Sequence, residues 1–266
     1  MLFRSDAAKV RLQEAFFYPI ESEDAEERSF RSGMLHVTAT LPISKIAGYE
    51  KDPSGLYDPH VFLCTYVYRF NVNVPPLNDV RVRRALAMAI NREQIVRDVT
   101  KGHQVPAAHF SPPDLAGFTA RARLPYDPEA ARRLLAEAGF PNGAGFPKLD
   151  ILFNTNEGHR QIAEAIQQMW KRELGVGIGL YNQEGKVWSD SMRTMNYQIA
   201  RFAWVGDYLD PSTFLDIMAS DSGNNQTGWK NADYDALIAQ AKQTADTAQR
   251  HALYQRCEEK IGRAHV

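Results

Sequence analysis

Residues 149–184 contain the pattern that most restricts the fold: a strand over 149–153, a long amphipathic helix and a second strand over 176–181, in LDILFNTNEGHRQIAEAIQQMWKRELGVGIGLYNQE. The helical part places apolar side chains on one stripe, at Ile162, Ile166, Met169, Trp170 and Leu174. Gly175 follows directly and predicts the end of the helix. Strands that are joined through a helix in this way run parallel, so the pattern predicts an α/β fold with helices covering the sheet.

The flanking segments are consistent with an α/β fold. Residues 59–72 are rich in aromatic and β-branched side chains and predict a largely buried strand. Asn78, Asn91 and Asp127 each precede a helical pattern and are expected to be N-cap residues. The first fifty residues predict short extended pieces, including a strand over 14–20, and no strongly periodic helix. Further predicted elements are a strand over 197–204 and helices over 186–194, 209–219, 231–243 and 246–262.

Composition excludes several classes of function. The chain has 31 Lys and Arg residues against 32 Asp and Glu residues, so it has no basic surface of the kind that binds nucleic acid. Its two cysteines, Cys64 and Cys257, are too few for a disulfide scaffold or a cysteine zinc site. The glycines of GVGIGL fall on the second strand of the crossover, which does not match a dinucleotide-binding loop. We therefore expect no metal and no cofactor.

The segment RFAWVGDYLDP, residues 201–211, brings a cation, a large ring and an anion close together in sequence. Arg201, Trp204 and Asp207 fit two interpretations: a structural ion pair beside a core tryptophan, or a clamp for a ligand with a charge at each end. His159 follows the first strand of the crossover, in a predicted loop where open α/β sheets place ligands. It also fits a solvated histidine at a helix start.

Five motifs in a fixed order carry a family resemblance: NDVRVRRALAMAINREQIV, DPEAARRLLAEAGF, LFNTNEGHRQIAEAIQQMWKRELGVGIGLYNQE, ARFAWVGDYLDPSTFL and NADYDALIAQAKQTADTAQRHALYQRCEEKI. With them, the chain from about residue 10 to 261 resembles the extracytoplasmic solute-binding proteins of the peptide-transport class, and among these the oligopeptide-binding proteins of bacterial ABC importers. The resemblance implies a two-lobed α/β fold of class II type. Residues 1–61 would belong to the first lobe and residues 62–266 to most of the second.

The resemblance also implies roles for the 201–207 segment. Asp207 would bind the α-ammonium group of a peptide, and Arg201 would bind the carboxylate of peptides of certain lengths. Trp204 would form the wall of a side-chain pocket. His159 and Asn154 would approach the carboxyl end of longer ligands.

Main-chain groups near Ala203 and Val205 would pair with the peptide like an added strand, which explains binding without sequence preference. The oligopeptide-binding relatives carry a cysteine in place of Val205, bridged to the one that matches Cys64, so this chain lacks the bridge. Gly185 replaces a pocket-lining tryptophan, and Met192 with Arg193 replaces an Arg-His pair that contacts ligand carboxylates. These differences predict a pocket of altered shape.

The expected partners are short peptides and the membrane permease of an ABC importer. We expect a monomer located in the periplasm, or on the cell surface as a lipoprotein, and attached to the membrane only through the transporter or an N-terminal anchor. The same scaffold could bind a dipeptide, a murein peptide or an opine-like compound. A hydrolase that uses Asp207, Asp210 or His159 is the remote alternative to a non-enzymatic binding protein.

The two ends of the chain predict a fragment. The beginning carries no signal peptide or lipid-anchor cysteine, and the chain stops inside an amphipathic helix. The final letters, IGRAHV, resemble a reading frame through a sequencing adapter.

Overall fold

A computed structural model describes residues 11–60 and 62–264 of the chain. The first ten residues, residue 61 at the predicted junction of the lobes, and the last two residues of the IGRAHV sequence lie outside the described residues. The strands are β1 (Cys64–Phe70), β2 (Leu149–Asn154), β3 (Ile178–Gln183) and β4 (Ile199–Val205). The helices are α1 (Glu23–Arg31), α2 (Ile46–Tyr49), α3 (Val80–Met88), α4 (Arg92–Gln94, continued by a π-helical segment over Ile95–Thr100), α5 (Pro128–Glu137), α6 (Glu157–Leu174), α7 (Gly185–Arg193), α8 (Ser212–Leu215), α9 (Ala232–Gln243) and α10 (Thr247–Ala264).

The four strands form one mixed sheet in the order β1-β4-β2-β3. Strand β2 runs parallel to β3 and β4, and β1 runs antiparallel to β4. Helix α6 connects the parallel strands β2 and β3, so the predicted crossover is confirmed. The α/β fold class is confirmed as well.

Buried side chains cover both faces of the sheet. On one face, the indole Nε1 of Trp170 donates a 2.7 Å hydrogen bond to the carbonyl of Leu86, which joins α6 to α3 inside the main core. On the other face, Phe214 and Tyr234 are fully buried, and the Tyr234 hydroxyl donates to the carbonyl of Leu215 at 2.7 Å. The sheet is therefore enclosed between helical layers, as the crossover requires.

The end of α6 shows why the strand that follows begins later than predicted. Gly175 has the left-handed conformation, with φ of 71°, and ends the helix as expected. The backbone N–H of Val176 still donates to the carbonyl of Trp170 at 3.2 Å, so this residue belongs to the helix cap. Strand β3 consequently spans Ile178–Gln183 instead of 176–181.

The predicted strand over 14–20 is wrong, and the helix α1 was not predicted. Ser22 caps this helix by accepting a hydrogen bond from the N–H of Ala25. Its buried side chain is Glu27, whose carboxylate accepts hydrogen bonds from Lys45 and Tyr49, each at 2.7 Å. A helix anchored by a buried carboxylate has little apolar periodicity, so a periodic apolar pattern does not indicate it.

Three N-caps were predicted, and two are confirmed. The side chain of Asn91 accepts from the N–H of Gln94, and that of Asp127 accepts from the N–H of Ala130. The third cap is Asp79 and not Asn78, because the carboxylate of Asp79 accepts from the N–H of Arg81. Strand β1 is shorter than the predicted 59–72.

Candidate functional site

Strand β4 presents alternate side chains on opposite faces of the sheet. Arg201 lies opposite Tyr68 of β1, and Ala203 lies opposite Tyr66, so these four residues share one face. Trp204 projects from the other face. The structure therefore separates Arg201 from Trp204, although they are three residues apart in sequence.

The Arg201 guanidinium is held by an aromatic ring and an amide. Its Cζ lies 4.8 Å from the centroid of the Tyr66 ring, and its Nη1 donates to the Oδ1 of Asn154 at 3.2 Å. Its Nε is buried and has no hydrogen-bond partner among the described residues. Within residues 11–60 and 62–264 no ion pair joins Arg201 to a carboxylate, so the suggested structural pair with Asp207 does not form.

His159 lies in the first turn of α6 and not in a loop. The side chain of Asn156 caps this helix and accepts from the His159 N–H at 3.0 Å. The imidazole Nδ1 lies 3.3 Å from the Tyr66 hydroxyl. Burial, together with a smaller contribution from the nearby Arg201 charge, lowers the pKa of His159 to about 3. The imidazole is therefore neutral at neutral pH, where it can accept or donate a hydrogen bond without adding charge.

On the opposite face, Trp204 is fixed by two contacts. Its ring stacks on that of Phe202, with centroids 6.2 Å apart and an angle of 21° between the planes. The indole Nε1 donates a 2.6 Å hydrogen bond to the backbone carbonyl of Thr213. Phe202 in turn lies under the guanidinium of Arg69, whose Cζ is 3.3 Å from the ring centroid. This stack gives the tryptophan a defined orientation.

Asp207 follows β4 and is exposed to solvent. Its backbone N–H donates to the Oγ1 of Thr213 at 2.9 Å. In the part of the chain that the structure describes, its carboxylate forms no ion pair. An anion is thus displayed at one end of β4, while Arg201 lies near the other end.

The main chain of β4 has an edge that the sheet leaves uncovered. The Gly206 N–H donates to the carbonyl of Leu63, so these two residues form a hydrogen-bonded pair of the ladder. Hydrogen-bonded and non-hydrogen-bonded pairs alternate, so the pair of Val205 with Cys64 and the pair of Ala203 with Tyr66 have no mutual hydrogen bonds. The N–H and C=O groups of Ala203 and Val205 consequently point away from β1. On that side the pairing with β2 stops at Ala200. Among the described residues no strand pairs with these backbone groups, so they lie on an open edge of β4.

Met192, Arg193 and Gly185 replace side chains that the resemblance assigns to the ligand pocket. Met192 is buried and packs with Leu152 and Ala200, whereas Arg193 is exposed and pairs with Asp190 at 3.2 Å. A Cβ atom added at Gly185 would have no neighbour within 4 Å, so the surface beside it is open.

Two residues of the site were missed by the sequence reasoning. Tyr66 contacts both Arg201 and His159, and the alternation of aromatic residues in β1 was a usable signal for it. Thr213 accepts hydrogen bonds from Trp204 and Asp207, and nothing in the local sequence marks it.

The described residues contain no helix that is both long and apolar enough to cross a membrane. They also contain no group of three or more His, Cys, Asp or Glu residues arranged to hold a metal ion. Cys64 and Cys257 are free thiols.

Comparison with known proteins identifies one family. The model of the bacterial extracellular solute-binding proteins, family 5 Middle, matches residues 5–226. The chain is 35% identical over 268 residues to the periplasmic oligopeptide-binding protein OppA of Salmonella typhimurium, covering 96% of this chain and 48% of that protein. It is 38% identical over 262 residues to the periplasmic murein peptide-binding protein MppA of Escherichia coli, covering 95% of this chain and 48% of that protein.

Solved structures give the same result for the fold. The murein tripeptide binding protein MppA of Escherichia coli matches with a TM-score of 0.87 and 37% identity, over 92% of this chain and 49% of that one. Haemophilus influenzae OppA in complex with RPPGFSPFR matches with a TM-score of 0.81 and 31% identity, over 91% of this chain and 49% of that one. The chain spans about half the length of the curated relatives it matches.

Proposed function

Because the chain belongs to family 5 of the bacterial extracellular solute-binding proteins, we propose that it forms about half of the substrate-binding component of an ABC importer for short peptides. In this proposal residues 62–266 supply most of one lobe, and residues 1–61 supply part of the other. The peptide is captured between the lobes and delivered to a membrane permease. The protein is a monomer of the periplasm or the cell surface, and it binds its ligand without converting it.

The open edge of β4 is the observation that carries this proposal. Ala203 and Val205 direct backbone groups toward space that β2 does not fill. An extended peptide that pairs with such an edge gains main-chain hydrogen bonds whatever its side chains are. That mode of binding fits a transporter component that accepts many sequences.

Charges at the two ends of this edge support a zwitterionic ligand. The exposed carboxylate of Asp207 is suited to an α-ammonium group. The guanidinium of Arg201 is suited to a carboxylate, which would compensate a charge that has no anionic partner among the described residues. An extended segment of six residues spans at most about 20 Å, so these charges match the ends of a peptide of a few residues. Asn154 and the neutral His159 border the same face and would approach the carboxyl end of a longer ligand.

Trp204 has a different role in this proposal. It lies on the other face of the sheet, so it does not share one surface with Arg201. Its ring is held at the end of β4 next to Asp207 through the shared partner Thr213. There it forms a side wall for a ligand residue near the ammonium end.

A murein peptide is the second candidate ligand. The similarity to the murein peptide-binding protein MppA, 38% in sequence and 0.87 in TM-score to its structure, favours it. The open surface at Gly185 is consistent with a ligand whose side chain is larger than those of ordinary peptides.

The contacts of the acidic and histidine side chains argue against hydrolysis. Asp210 accepts hydrogen bonds from Ser212 and Tyr254, and His159 contacts Tyr66. Each contact joins two parts of the fold: Asp210 ties the turn before α8 to α10, and His159 ties α6 to β1, so we assign these contacts a structural role. A retained ligand, recovered unchanged, is the expected behaviour.

The decisive experiment measures binding of matched peptides to the complete protein that carries this chain. Asp207→Asn should weaken binding of a free-amine tripeptide about 10- to 100-fold, because a charge-assisted contact contributes about 1.5–3 kcal/mol. The N-acetylated tripeptide should lose little. Asp221→Asn, at an exposed aspartate outside the site, is the control.

Equal loss for both peptides would remove Asp207 as the ammonium anchor. Mass spectrometry of the ligand that co-purifies with the protein separates ordinary peptides from murein peptides. Release of cleaved peptide during incubation would replace the binding function by a hydrolytic one.

A further inference from the structure

Thr213 is a buried residue whose two oxygen atoms each accept a hydrogen bond from the 201–207 segment. The residue is 3% exposed. The backbone carbonyl accepts from the Trp204 indole at 2.6 Å, and the Oγ1 accepts from the Asp207 N–H at 2.9 Å. We infer that Thr213 is a positioning residue that sets the location of the ammonium-binding carboxylate relative to the tryptophan wall. This inference rests on the proposed function of Asp207.

The carboxylate of Asp207 depends on its backbone for its position, because no hydrogen bond between described residues holds its oxygen atoms. It forms no ion pair among the described residues and is exposed. Its position therefore depends on the backbone that carries it. That backbone is tied on one side by the bond from the Gly206 N–H to the carbonyl of Leu63, at 2.8 Å, and on the other side by the bond to Thr213.

The position of Thr213 is itself fixed by the turn that precedes it. Its backbone N–H donates to the carbonyl of Asp210 at 3.1 Å. The Asp210 carboxylate accepts from the Ser212 hydroxyl at 2.8 Å and from the Tyr254 hydroxyl at 3.2 Å. Arg250 lies 3.4 Å from the same carboxylate. Helix α10 thus holds the turn, and the turn holds Thr213.

Gly206 makes the arrangement compact. A Cβ atom at this position would lie 2.7 Å from the Cδ2 of Leu63 and 3.1 Å from the ring of Phe214. The chain can therefore leave β4 close to α8, where the hydroxyl of Thr213 is within reach of the next N–H. The ring of Trp204 and the backbone of Asp207 are both hydrogen-bonded to Thr213, which fixes their positions relative to each other.

This preorganisation lowers the cost of binding. A carboxylate on a tethered backbone loses less freedom when an ammonium group binds than one on a free loop does. Loss of the Oγ1 acceptor should weaken the tether by one hydrogen bond. The carbonyl bond to Trp204 uses a main-chain atom and remains after a side-chain change.

The test compares Thr213→Val with Thr213→Ser in the complete protein that carries this chain. Valine preserves the shape and removes the acceptor, whereas serine retains the hydroxyl. Thr213→Val should lower the affinity for a free-amine tripeptide about 5- to 10-fold, the equivalent of one hydrogen bond. It should leave the affinity for the N-acetylated tripeptide within about 2-fold. Thr213→Ser should restore the parental ratio of the affinity for the free-amine tripeptide to that for the N-acetylated tripeptide.

The ratio of the two affinities is measured within one variant, so a lower folded fraction does not change it. Loss of affinity for both peptides in equal proportion would overturn the positioning role and leave Thr213 as a residue of general stability. An unchanged affinity for the free amine would overturn it too. If Asp207→Asn alters the ratio and Thr213→Val does not, this inference fails and the proposed function stands. If Asp207→Asn also leaves the ratio unchanged, both fail.

Discussion

Cys64 and Val205 lie directly opposite each other at the end of the β1–β4 ladder. The neighbouring pair, Leu63 and Gly206, is hydrogen-bonded, so Cys64 and Val205 form a pair of the closer type, with Cα atoms about 4.5 Å apart. Cys64 is a free thiol. The disulfide that the family resemblance implies at this place would therefore need one substitution, Val205→Cys, and the backbone already has a Cα separation that suits it.

Val205→Cys should form a disulfide with Cys64 under oxidising conditions. The bridge would stabilise the folded chain by roughly 2–4 kcal/mol, the usual range for a native-like disulfide. Thiol titration should find one free thiol, that of Cys257, and the midpoint of thermal unfolding should rise. Ala203→Cys is the control, since residue 203 faces Tyr66 and not Cys64. If the Val205→Cys variant, first oxidised and then unfolded, shows three reactive thiols, the register of β1 against β4 is contradicted.

Arg201→Gln should weaken binding of peptides that end in a free carboxylate. The loss should be roughly 10- to 100-fold, because a charge-assisted hydrogen bond contributes about 1.5–3 kcal/mol. Calorimetric titration of the complete protein with peptides of three to six residues would identify the lengths that reach this cation. Matched peptides with an amidated carboxyl end should lose much less. Arg97→Gln, at an exposed arginine paired with Asp98, is the protein control. Equal losses for the acid and amide forms at every length would refute the carboxylate contact.

His159 should make the chain less stable as the pH falls. Its pKa in the folded state, about 3, lies below the ordinary value of 6.5, so the unfolded state takes up a proton that the folded state does not. The resulting loss of stability is absent above about pH 6.5 and grows as the pH falls from there toward 3. Urea unfolding of the parent and of His159→Gln, compared between pH 7.5 and 5, should show the parent losing stability relative to the variant. An imidazole that titrates near pH 6.5 in the folded chain, followed by NMR, would sink this prediction.

Gly175→Ala should destabilise the chain more than Gly145→Ala does. Both glycines have a left-handed backbone, with φ of 71° and 74°. That conformation alone costs a residue with a Cβ atom roughly 1–2 kcal/mol. The added carbon at residue 175 would also lie 2.2 Å from the carbonyl oxygen of Asn142, whereas the one at residue 145 would have no neighbour within 4 Å. We expect a further cost of roughly 1–3 kcal/mol for the first variant, measured by urea unfolding. Equal costs would mean that the Asn142 loop moves away freely.

The site was only partly predictable. The resemblance named Arg201, Trp204 and Asp207 together, whereas their spacing in sequence left open a structural ion pair or a ligand clamp. Strand alternation separates Arg201 from Trp204, and no local signal identified Thr213 as the partner of Trp204 and Asp207. Thr213 is recognisable only after the chain has turned back on itself.

Local sequence was sufficient for the α/β class, for the crossover through α6 and for the helix ends at Asn91, Asp127 and Gly175, because caps and apolar periodicity depend on neighbours a few residues away. The tertiary structure decided the rest. It placed β4 between β1 and β2, left the edge at Ala203 open, and lowered the pKa of His159 through burial beside Arg201. Strand order, register and desolvation arise from contacts between residues far apart in the chain, and no short stretch of sequence encodes them.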